Sequence, residues 1–299
     1  MPAYQKPVFI VGMPRSGTTL IQGILCNTGK YFPMPETHFF VKAAYNLPEE
    51  NLSKKDRNRI ERQLLKKSRI RLAQGLSEQL TSKKDVFEHV IDQFNPEGSR
   101  TFLEKTPRHV FFYSQILEYY PDAKFICMIR EPKNMISSQL TNSPKENKSV
   151  IRLSLYYDKI AAAIMKIRYS NNVILIRYED LTTETERTLR YTCQFLNIAF
   201  DSNLVDNVAA PQGIVSEHEY WKKRNLEQNV IKKNNADKWK KTLTTGQANI
   251  INFITRSHAE KFGYALSYKW PDVWDGFRRD MVRLFSNGEF KKIFSKIQG

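Results

Sequence analysis

A short loop near the N-terminus, between an apolar run and a helical stretch, is the feature that most constrains the fold. Residues 7–12, Pro-Val-Phe-Ile-Val-Gly, are typical of a buried parallel strand, and residues 18–27 continue as an apolar helix. The glycines of the loop, Gly12 and Gly17, have the spacing of a phosphate-binding Walker loop. Such a loop turns its backbone N–H groups towards an anion, and the helix N-terminus adds favourable partial charge. The pattern therefore predicts an anion-binding strand–loop–helix unit.

The loop also departs from the Walker pattern in an informative way. Thr18 stands where a Walker lysine would stand, and the basic residue, Arg15, lies inside the loop. A nucleoside triphosphatase would also need an aspartate at the end of a neighbouring strand to help hold Mg²⁺. The candidate strand, residues 125–129, is followed by Arg130, which would repel a metal and attract a phosphate. We therefore expect an anionic nucleotide bound without a metal bridge.

The rest of the chain alternates between short apolar strands and helical patterns. This alternation predicts an α/β fold, a central parallel sheet flanked by helices, similar to the P-loop NTPases. Thr183 and Glu186 are expected to form a capping box at the start of one helix. The predicted strands are residues 7–12, 101–104, 124–129 and 173–177, and the predicted helices are residues 109–119, 131–142, 148–169 and 183–196.

Two further segments complete the predicted organisation of a single domain over residues 1–299. Residues 41–95 are highly charged and helical in pattern, and we expect them to form a helical insertion. Residues 272–299 form an amphipathic C-terminal helical tail with interleaved cations. This tail could pack on its own domain or lie at a membrane surface, and the sequence leaves both readings open. Its predicted apolar face consists of Trp274, Phe277, Met281, Leu284 and Phe285.

Composition narrows the range of partners without choosing one. The net charge of +16, from 47 basic and 31 acidic residues, favours anionic partners such as nucleotides, acidic glycans or phospholipid surfaces. The chain has no zinc-finger or RNA-recognition motif, so we expect no nucleic-acid partner. Cys26, Cys127 and Cys193 lie in apolar surroundings without metal-binding spacing. Without a signal peptide or a membrane span, we expect a cytoplasmic location, with peripheral membrane contact through the tail as an alternative.

Four motifs, in order along the chain, resemble those of sulfotransferases that use 3′-phosphoadenosine-5′-phosphosulfate (PAPS). They are residues 14–19, residues 129–132 with Ser138 beyond them, residues 177–181, and the pair Lys238 and Trp239. The resemblance implies a co-substrate, PAPS, a product, 3′,5′-adenosine bisphosphate (PAP), and no metal. It also implies a set of nucleotide-binding residues, namely Arg15, Ser16, Gly17, Thr18 and Thr19 for the 5′-phosphosulfate, Arg130 and Ser138 for the 3′-phosphate, Tyr178 near the adenine, and Lys238 and Trp239 closing the site.

The same resemblance implies the catalytic residues. Glu36, in the segment Pro-Glu-Thr-His, is the expected general base, and His38 is the rival base. Lys105 is expected to approach the transferred sulfuryl group, and Arg15 to stabilise the leaving phosphate. His109 is a minor catalytic candidate, because some relatives use a histidine nearby.

The acceptor is the least constrained part of the prediction. The chain looks more like bacterial, glycan and tyrosyl-protein sulfotransferases than like the enzymes acting on phenols and steroids, which usually have tryptophan where Leu20 stands. We predict a carbohydrate hydroxyl on a polysaccharide or glycolipid. A lipid, a small metabolite or a protein tyrosine stays open. So do two other classes of protein, a P-loop kinase or NTPase and a basic nucleic-acid-binding protein. The sequence does not predict the oligomeric state.

Overall fold

A parallel sheet of four strands forms the centre of the protein. The computed structural model describes residues 4, 6–95, 101–141, 149–206 and 237–286, with side chains as far as Met281. The strands are β1 (Val8–Gly12), β2 (Leu103–Lys105), β3 (Lys124–Ile129) and β4 (Val173–Arg177), in the order β2-β1-β3-β4. This sheet, covered by helices, confirms the predicted fold class.

Both faces of the sheet are buried, which explains why the strands are apolar runs without polar alternation. Phe9 and Phe125 point into one hydrophobic cluster, while Ile10 and Ile126 point into the other. All five residues of β1 are buried. Since β1 has a strand on each side, the loop that follows it lies between the ends of β2 and β3.

Helices and short helical turns connect the strands and cover both faces. The α-helices are α1 (Thr18–Cys26), α2 (Lys54–Gln63), α3 (Lys83–Asp92), α4 (Tyr113–Tyr119), α5 (Pro132–Thr141), α6 (Val150–Ile167), α7 (Tyr178–Thr183), α8 (Thr185–Leu196), α9 (Asn203–Asp206), α10 (Thr245–Ala259) and α11 (Trp270–Ser286). The short turns are π-helical at Phe39–Ala43 and Leu64–Ser68, and 3-10 helical at Pro107–Phe112, Lys238–Lys241 and Glu260–Phe262.

The segment 41–95 is helical, as predicted. Ser53 and Ser82 begin α2 and α3 with complete capping boxes, each closed by an aspartate in the first turn. Ile60 and Phe87 are fully buried in the hydrophobic cluster that also contains Phe9 of the sheet. The insertion therefore packs directly on the sheet. The prediction of one domain over residues 1–299 stays a prediction.

The predicted capping box at Thr183 is wrong. Thr183 is the last residue of α7, and its hydroxyl donates to the carbonyl of Glu179 one turn earlier. The next helix, α8, begins at Thr185 after Glu184 and has no side-chain cap. The chain is already helical at Thr183, so its hydroxyl bonds back to its own turn. Cys26, Cys127 and Cys193 are all buried, and none of them forms a disulfide bond within the described ranges.

The described part of the C-terminal tail packs on the domain through α11. Asp280 is buried and accepts hydrogen bonds from the Ser149 hydroxyl at 2.5 Å and the Ile151 N–H at 3.1 Å, so it caps the N-terminus of α6. Gly276 lies so close to α10 that an added Cβ would be 2.5 Å from the Gly246 carbonyl oxygen. The tail is thereby fastened to two helices of the domain.

The predicted apolar face of the tail is partly wrong. Phe277 and Met281 do pack against the core, but Trp274 is 70% exposed and points away from it. Leu284 and Phe285 lie in α11 beyond the described side chains, and residues 287–299 lie outside the described residues. Across the described ranges, no helix is both long enough and apolar enough to cross a membrane. Membrane contact through 272–299 and a cytoplasmic location stay predictions.

Replacing Asp280 with alanine is expected to lower the free energy of unfolding by about 1–2 kcal/mol, because α6 loses its N-terminal cap. The matched control is Asp275→Ala on the same helix. Asp275 is exposed and pairs with Arg279, so its loss should cost about 0.5 kcal/mol or less. Urea unfolding of both variants measures the difference. Equal effects would contradict the capping role of Asp280.

Candidate active site

The loop after β1 makes a tight turn against β3. Gly12 has a φ of 115°, and a Cβ at this position would lie 2.3 Å from the carbonyl oxygen of Met128. The N–H of Met13 donates to that same carbonyl at 2.8 Å. A glycine is therefore required at Gly12 for both its backbone conformation and its clearance. The turn carries the chain from the buried strand into the loop.

The second glycine of the loop touches the tyrosine that the sequence assigns to the adenine. Gly17 has a φ of 85°, and an added Cβ would lie 2.7 Å from Cδ2 of Tyr178. Arg15 has a φ of 67°, which is uncommon for a residue with a side chain. The buried Ser16 hydroxyl donates to the Met13 carbonyl at 2.5 Å, so its proton is used inside the loop. Thr18 is buried and Thr19 partly buried in the first turn of α1.

Arg130 joins the end of β3 to the loop. Its guanidinium donates to the Arg15 carbonyl at 2.8 Å and lies 4.2 Å from the ring centroid of Tyr178. Its Nε is buried and has no partner among the described residues. Arg15 in turn donates from Nε to the Ser138 hydroxyl on α5 at 3.1 Å. The structure thus brings together the residues predicted for the two phosphate groups.

The late pair Lys238 and Trp239 also lies on this side of the sheet. The ammonium of Lys133, at the start of α5, lies 4.7 Å from the Trp239 ring. Lys133 also pairs with Glu131 at 3.4 Å, next to Arg130 in the chain. Burial raises the pKa of Glu131, although Lys133 opposes that rise. The turn Lys238–Lys241 therefore packs beside the segment that carries Arg130.

Glu36 lies at the centre of a second cluster, at the end of β2. One carboxylate oxygen contacts the Lys105 ammonium, and the other lies 3.3 Å from Nε2 of His38. Lys105 is only 1% exposed, so it is not an ordinary surface lysine. Burial lowers the pKa of His38, although Glu36 opposes this effect. The three predicted residues of the acid–base site therefore lie together, with 19% of the Glu36 side chain open to solvent.

A buried carboxylate that the sequence analysis missed holds this cluster in place. Glu104 is fully buried, and one of its oxygens accepts from the hydroxyls of Thr37 at 2.7 Å and Thr106 at 2.6 Å. The other oxygen lies 2.9 Å from Nδ1 of His109. The segment that carries Glu36 and His38 is thereby tied to the end of β2.

This arrangement argues against a catalytic role for His109. His109 has no exposed surface and contacts Glu104, so it cannot reach an acceptor hydroxyl. Burial alone would raise the pKa of Glu104. The charge of His109 and the hydrogen bonds from His109, Thr106 and Thr37 outweigh it and hold that pKa below its ordinary value. The segment Glu-Lys-Thr-Pro-Arg-His contains both partners, and an acidic residue in an otherwise buried strand was the signal that could have revealed them.

Comparison with known proteins identifies the family of this chain. The sequence model described as "Sulfotransferase family" matches residues 7–202, which include the loop, Glu36, Lys105, Arg130 and Tyr178. The chain belongs to the sulfotransferase family. The match ends before the segment of Lys238 and Trp239, so their assignment rests on the resemblance and on their position beside Lys133.

Solved sulfotransferase structures share the fold at low identity. The sulfotransferase domain of the Synechococcus PCC 7002 olefin synthase is 20% identical with a TM-score of 0.61, covering 89% of this chain and 98% of that one. The sulfotransferase domain from the curacin biosynthetic pathway is 20% identical with a TM-score of 0.62, covering 88% and 99%. A mouse sulfotransferase bound to PAP is 12% identical with a TM-score of 0.52, covering 85% of each chain.

A curated relative extends well beyond the matched region. An uncharacterized protein from Aquifex aeolicus (strain VF5) is 21% identical over 213 residues. The match covers 68% of this sulfotransferase but 27% of the relative, so this chain corresponds to about a quarter of that protein.

Among the described residues, no group of three or more His, Cys, Asp and Glu side chains could hold a metal ion. The expectation of a metal-free reaction stays a prediction.

Replacing Glu104 with glutamine tests the buried carboxylate. We expect the free energy of unfolding at pH 7 to fall by about 3 kcal/mol, because His109 loses a buried charged partner. The pKa of Glu104 in the folded state lies below the ordinary value of 4.5. The ionised carboxylate therefore stabilises the fold above pH 4.5, and this stabilisation is lost as the pH falls below that value. The variant should therefore lose less stability than wild type between pH 5 and about pH 3.

Glu118→Gln is the control for this variant, since Glu118 is exposed on α4. Denaturant unfolding at several pH values gives the comparison. An unchanged pH dependence in Glu104→Gln, or an equal change in Glu118→Gln, would contradict the assigned role of the buried carboxylate.

Proposed function

We propose that this sulfotransferase transfers a sulfuryl group from PAPS to a carbohydrate hydroxyl and releases PAP. The observation that carries the donor assignment is the joining of Arg130, Arg15 and Tyr178 around the loop after β1. A PAP complex of the mouse structural neighbour supports the same donor. The acceptor assignment rests on the resemblance of the sequence to bacterial, glycan and tyrosyl-protein sulfotransferases.

The donor pocket has two cationic parts that fit the two ends of the nucleotide. The loop amides and Arg15 would hold the 5′-phosphosulfate at the N-terminus of α1. Arg130 has a buried Nε without a partner in the described ranges, and a phosphate oxygen would satisfy such a donor. The Ser138 hydroxyl accepts a hydrogen bond from Arg15. The residue predicted for the 3′-phosphate therefore lies next to a residue predicted for the 5′-phosphosulfate. Arg130 is thus the residue that would distinguish a 3′-phosphorylated nucleotide from ATP.

The transfer itself requires a base, an electrophile and a stabilised leaving group. The acceptor oxygen attacks sulfur, a new S–O bond forms, and the bond from sulfur to the 5′-phosphate oxygen breaks with its electron pair. Glu36 takes the hydroxyl proton, and Lys105 neutralises charge on the sulfuryl oxygens. Arg15 and the loop amides stabilise the negative charge that moves onto PAP. A well-placed donor of this kind contributes about 3–4 kcal/mol to lowering the barrier.

The contact between Lys105 and Glu36 has a direct bearing on this scheme. The buried Lys105 ammonium lies directly against the carboxylate that would accept the proton. Burial lowers the pKa of His38, and its Nε2 can donate to the same carboxylate. We assign the base to Glu36 because it contacts both neighbours, and we assign His38 a positioning role.

A kinase or NTPase is the second class of function to weigh. Such an enzyme would place an aspartate near the end of β3 to help hold Mg²⁺. Here the chain continues from β3 into Arg130, whose guanidinium contacts the loop itself. A cation in that position favours a phosphate over a metal ion. Binding of Mg²⁺–ATP more tightly than PAP would favour the kinase or NTPase.

Removing the Arg130 charge should weaken PAP binding far more than binding of 5′-AMP, which lacks the 3′-phosphate. We expect Arg130→Ala to lose about 10- to 100-fold in PAP affinity, and Arg130→Lys to lose less. Isothermal titration calorimetry with both nucleotides measures the ratio. Arg187→Ala is the control, because Arg187 is 84% exposed on α8. Equal losses for PAP and 5′-AMP would contradict the 3′-phosphate assignment.

The general base is tested by transfer of labelled sulfate from PAPS to a panel of oligosaccharides. Glu36→Gln should lower kcat by about 10²- to 10⁴-fold, while PAP affinity changes little. His38→Asn should lose less than Glu36→Gln. The control is Glu78→Gln, an exposed carboxylate of the insertion. Full activity of Glu36→Gln would exclude Glu36 as the base, and wild-type protein that sulfates no sugar would exclude the proposed acceptor class.

A further inference from the structure

Arg108 is a cation near the proposed acid–base cluster, and it forms no ion pair with any other described residue. It belongs to the turn Pro107–Phe112, which begins two residues after Lys105 and packs on α6. Its Nε is buried without a hydrogen-bond partner, and within the described ranges no ion pair includes Arg108. The guanidinium carbon lies 6.0 Å from the ring centroid of Tyr156 on α6. Neither the fold nor the donor pocket accounts for this charge.

Other arginines of the site have clear protein partners. Arg130 donates to the Arg15 carbonyl, and Arg15 donates to the Ser138 hydroxyl. A partly buried guanidinium without such a partner loses part of its hydration and gains no compensating bond. A tyrosine ring whose centroid lies 6.0 Å away offsets this cost only in part. An anionic ligand is the partner that would offset the rest, because a guanidinium binds carboxylate, sulfate and phosphate through paired hydrogen bonds.

The position of Arg108 places this partner on the acceptor side. The Thr106 hydroxyl, two residues before Arg108, accepts from the His38 N–H at 3.2 Å, so the turn that carries Arg108 adjoins the segment of Glu36 and His38. The donor contacts, by contrast, involve Arg15, Arg130 and Tyr178.

We infer that Arg108 binds an anionic group carried by the acceptor, next to the hydroxyl that is sulfated. This inference rests on the proposed function and narrows its acceptor to an anionic glycan, such as one containing uronic acid. Arg108 is a specificity residue in this scheme, and the Tyr156 ring lies 6.0 Å from its guanidinium carbon. The net charge of +16 favours the approach of such an acceptor over long range.

The test compares a glucuronic-acid-containing oligosaccharide with the same oligosaccharide after its carboxylates are reduced to alcohols. Both are sulfated from PAPS, and kcat/KM is measured for each. We expect wild type to prefer the carboxylated sugar by about 10- to 100-fold, the range for a hydrogen bond between charged groups. Arg108→Gln should bring this ratio close to one, and Arg108→Lys should keep part of it.

Lys159→Gln is the matched control, since Lys159 is an exposed cation of α6, near Phe111 of the same turn. It should keep the preference of wild type, because general attraction by surface charge is small beside a direct contact. Calorimetry with PAP should give the same affinity for Arg108→Gln as for wild type. A loss of PAP affinity matching that of Arg130→Ala would place Arg108 in the donor pocket and overturn the inference.

The remaining outcomes separate this inference from the proposed function. Equal kcat/KM for the two sugars in wild type would overturn the role of Arg108 while leaving carbohydrate sulfation intact. An equal loss on both sugars in Arg108→Gln would also overturn it, because a merely structural role lowers both. If wild type binds PAP but sulfates neither sugar, the acceptor class fails and the inference fails with it.

Discussion

The parallel pairing of β1 with both β2 and β3 is the constraint on which the site depends. Ile10 is opposite Lys105 on one side, and Gly12 is opposite Met128 on the other. Because the carboxyl ends of parallel strands meet at one edge, the loop after β1 emerges beside the lysine of one strand and the arginine that follows the other. A shift of register by one residue would turn every side chain of β1 to the opposite face.

Two charged contacts then divide this edge into a donor half and an acid–base half. On the donor half, Arg130 fixes the loop by bonding to a backbone carbonyl, so its charge is not neutralised by a carboxylate there. On the acid–base half, carboxylates hold the segments in place. Glu104 ties two segments together inside the core, and the partly exposed Glu36 contacts the buried Lys105. The site thus combines an anion-binding region with a proton-accepting one.

The sequence allowed the arrangement around the loop after β1 to be predicted, while the nucleotide-binding role of these residues stays a prediction. The spacing of Gly12 and Gly17, the replacement of lysine by Thr18, and the position of Arg130 after an apolar strand are all local patterns with local physical causes. The structure brings these residues together as that reasoning required. Such short-range patterns predict structure well because the strand, the loop and the helix are consecutive in the chain.

The acid–base half could be predicted only in part, because its contacts join residues far apart in sequence. Glu36 and Lys105 were expected in the site, but their direct contact spans 69 residues. Glu104 and Arg108 were missed, since no spacing rule reveals which residue will be buried or left unpaired. Trp274 was misplaced because a helical face drawn from hydrophobicity ignores the glycine crossing at Gly276. That crossing rotates α11 so that Gly276 faces α10.

The docking of α11 has a practical consequence for the design of shortened proteins. Asp280 caps α6, and α6 carries the Tyr156 ring that lies beside Arg108. Trimming the chain before α11 would therefore remove the N-terminal cap of α6, the helix on which the turn of Arg108 packs. Weak turnover by such a fragment would follow from the loss of this cap. It would not be evidence that the C-terminal region binds lipid.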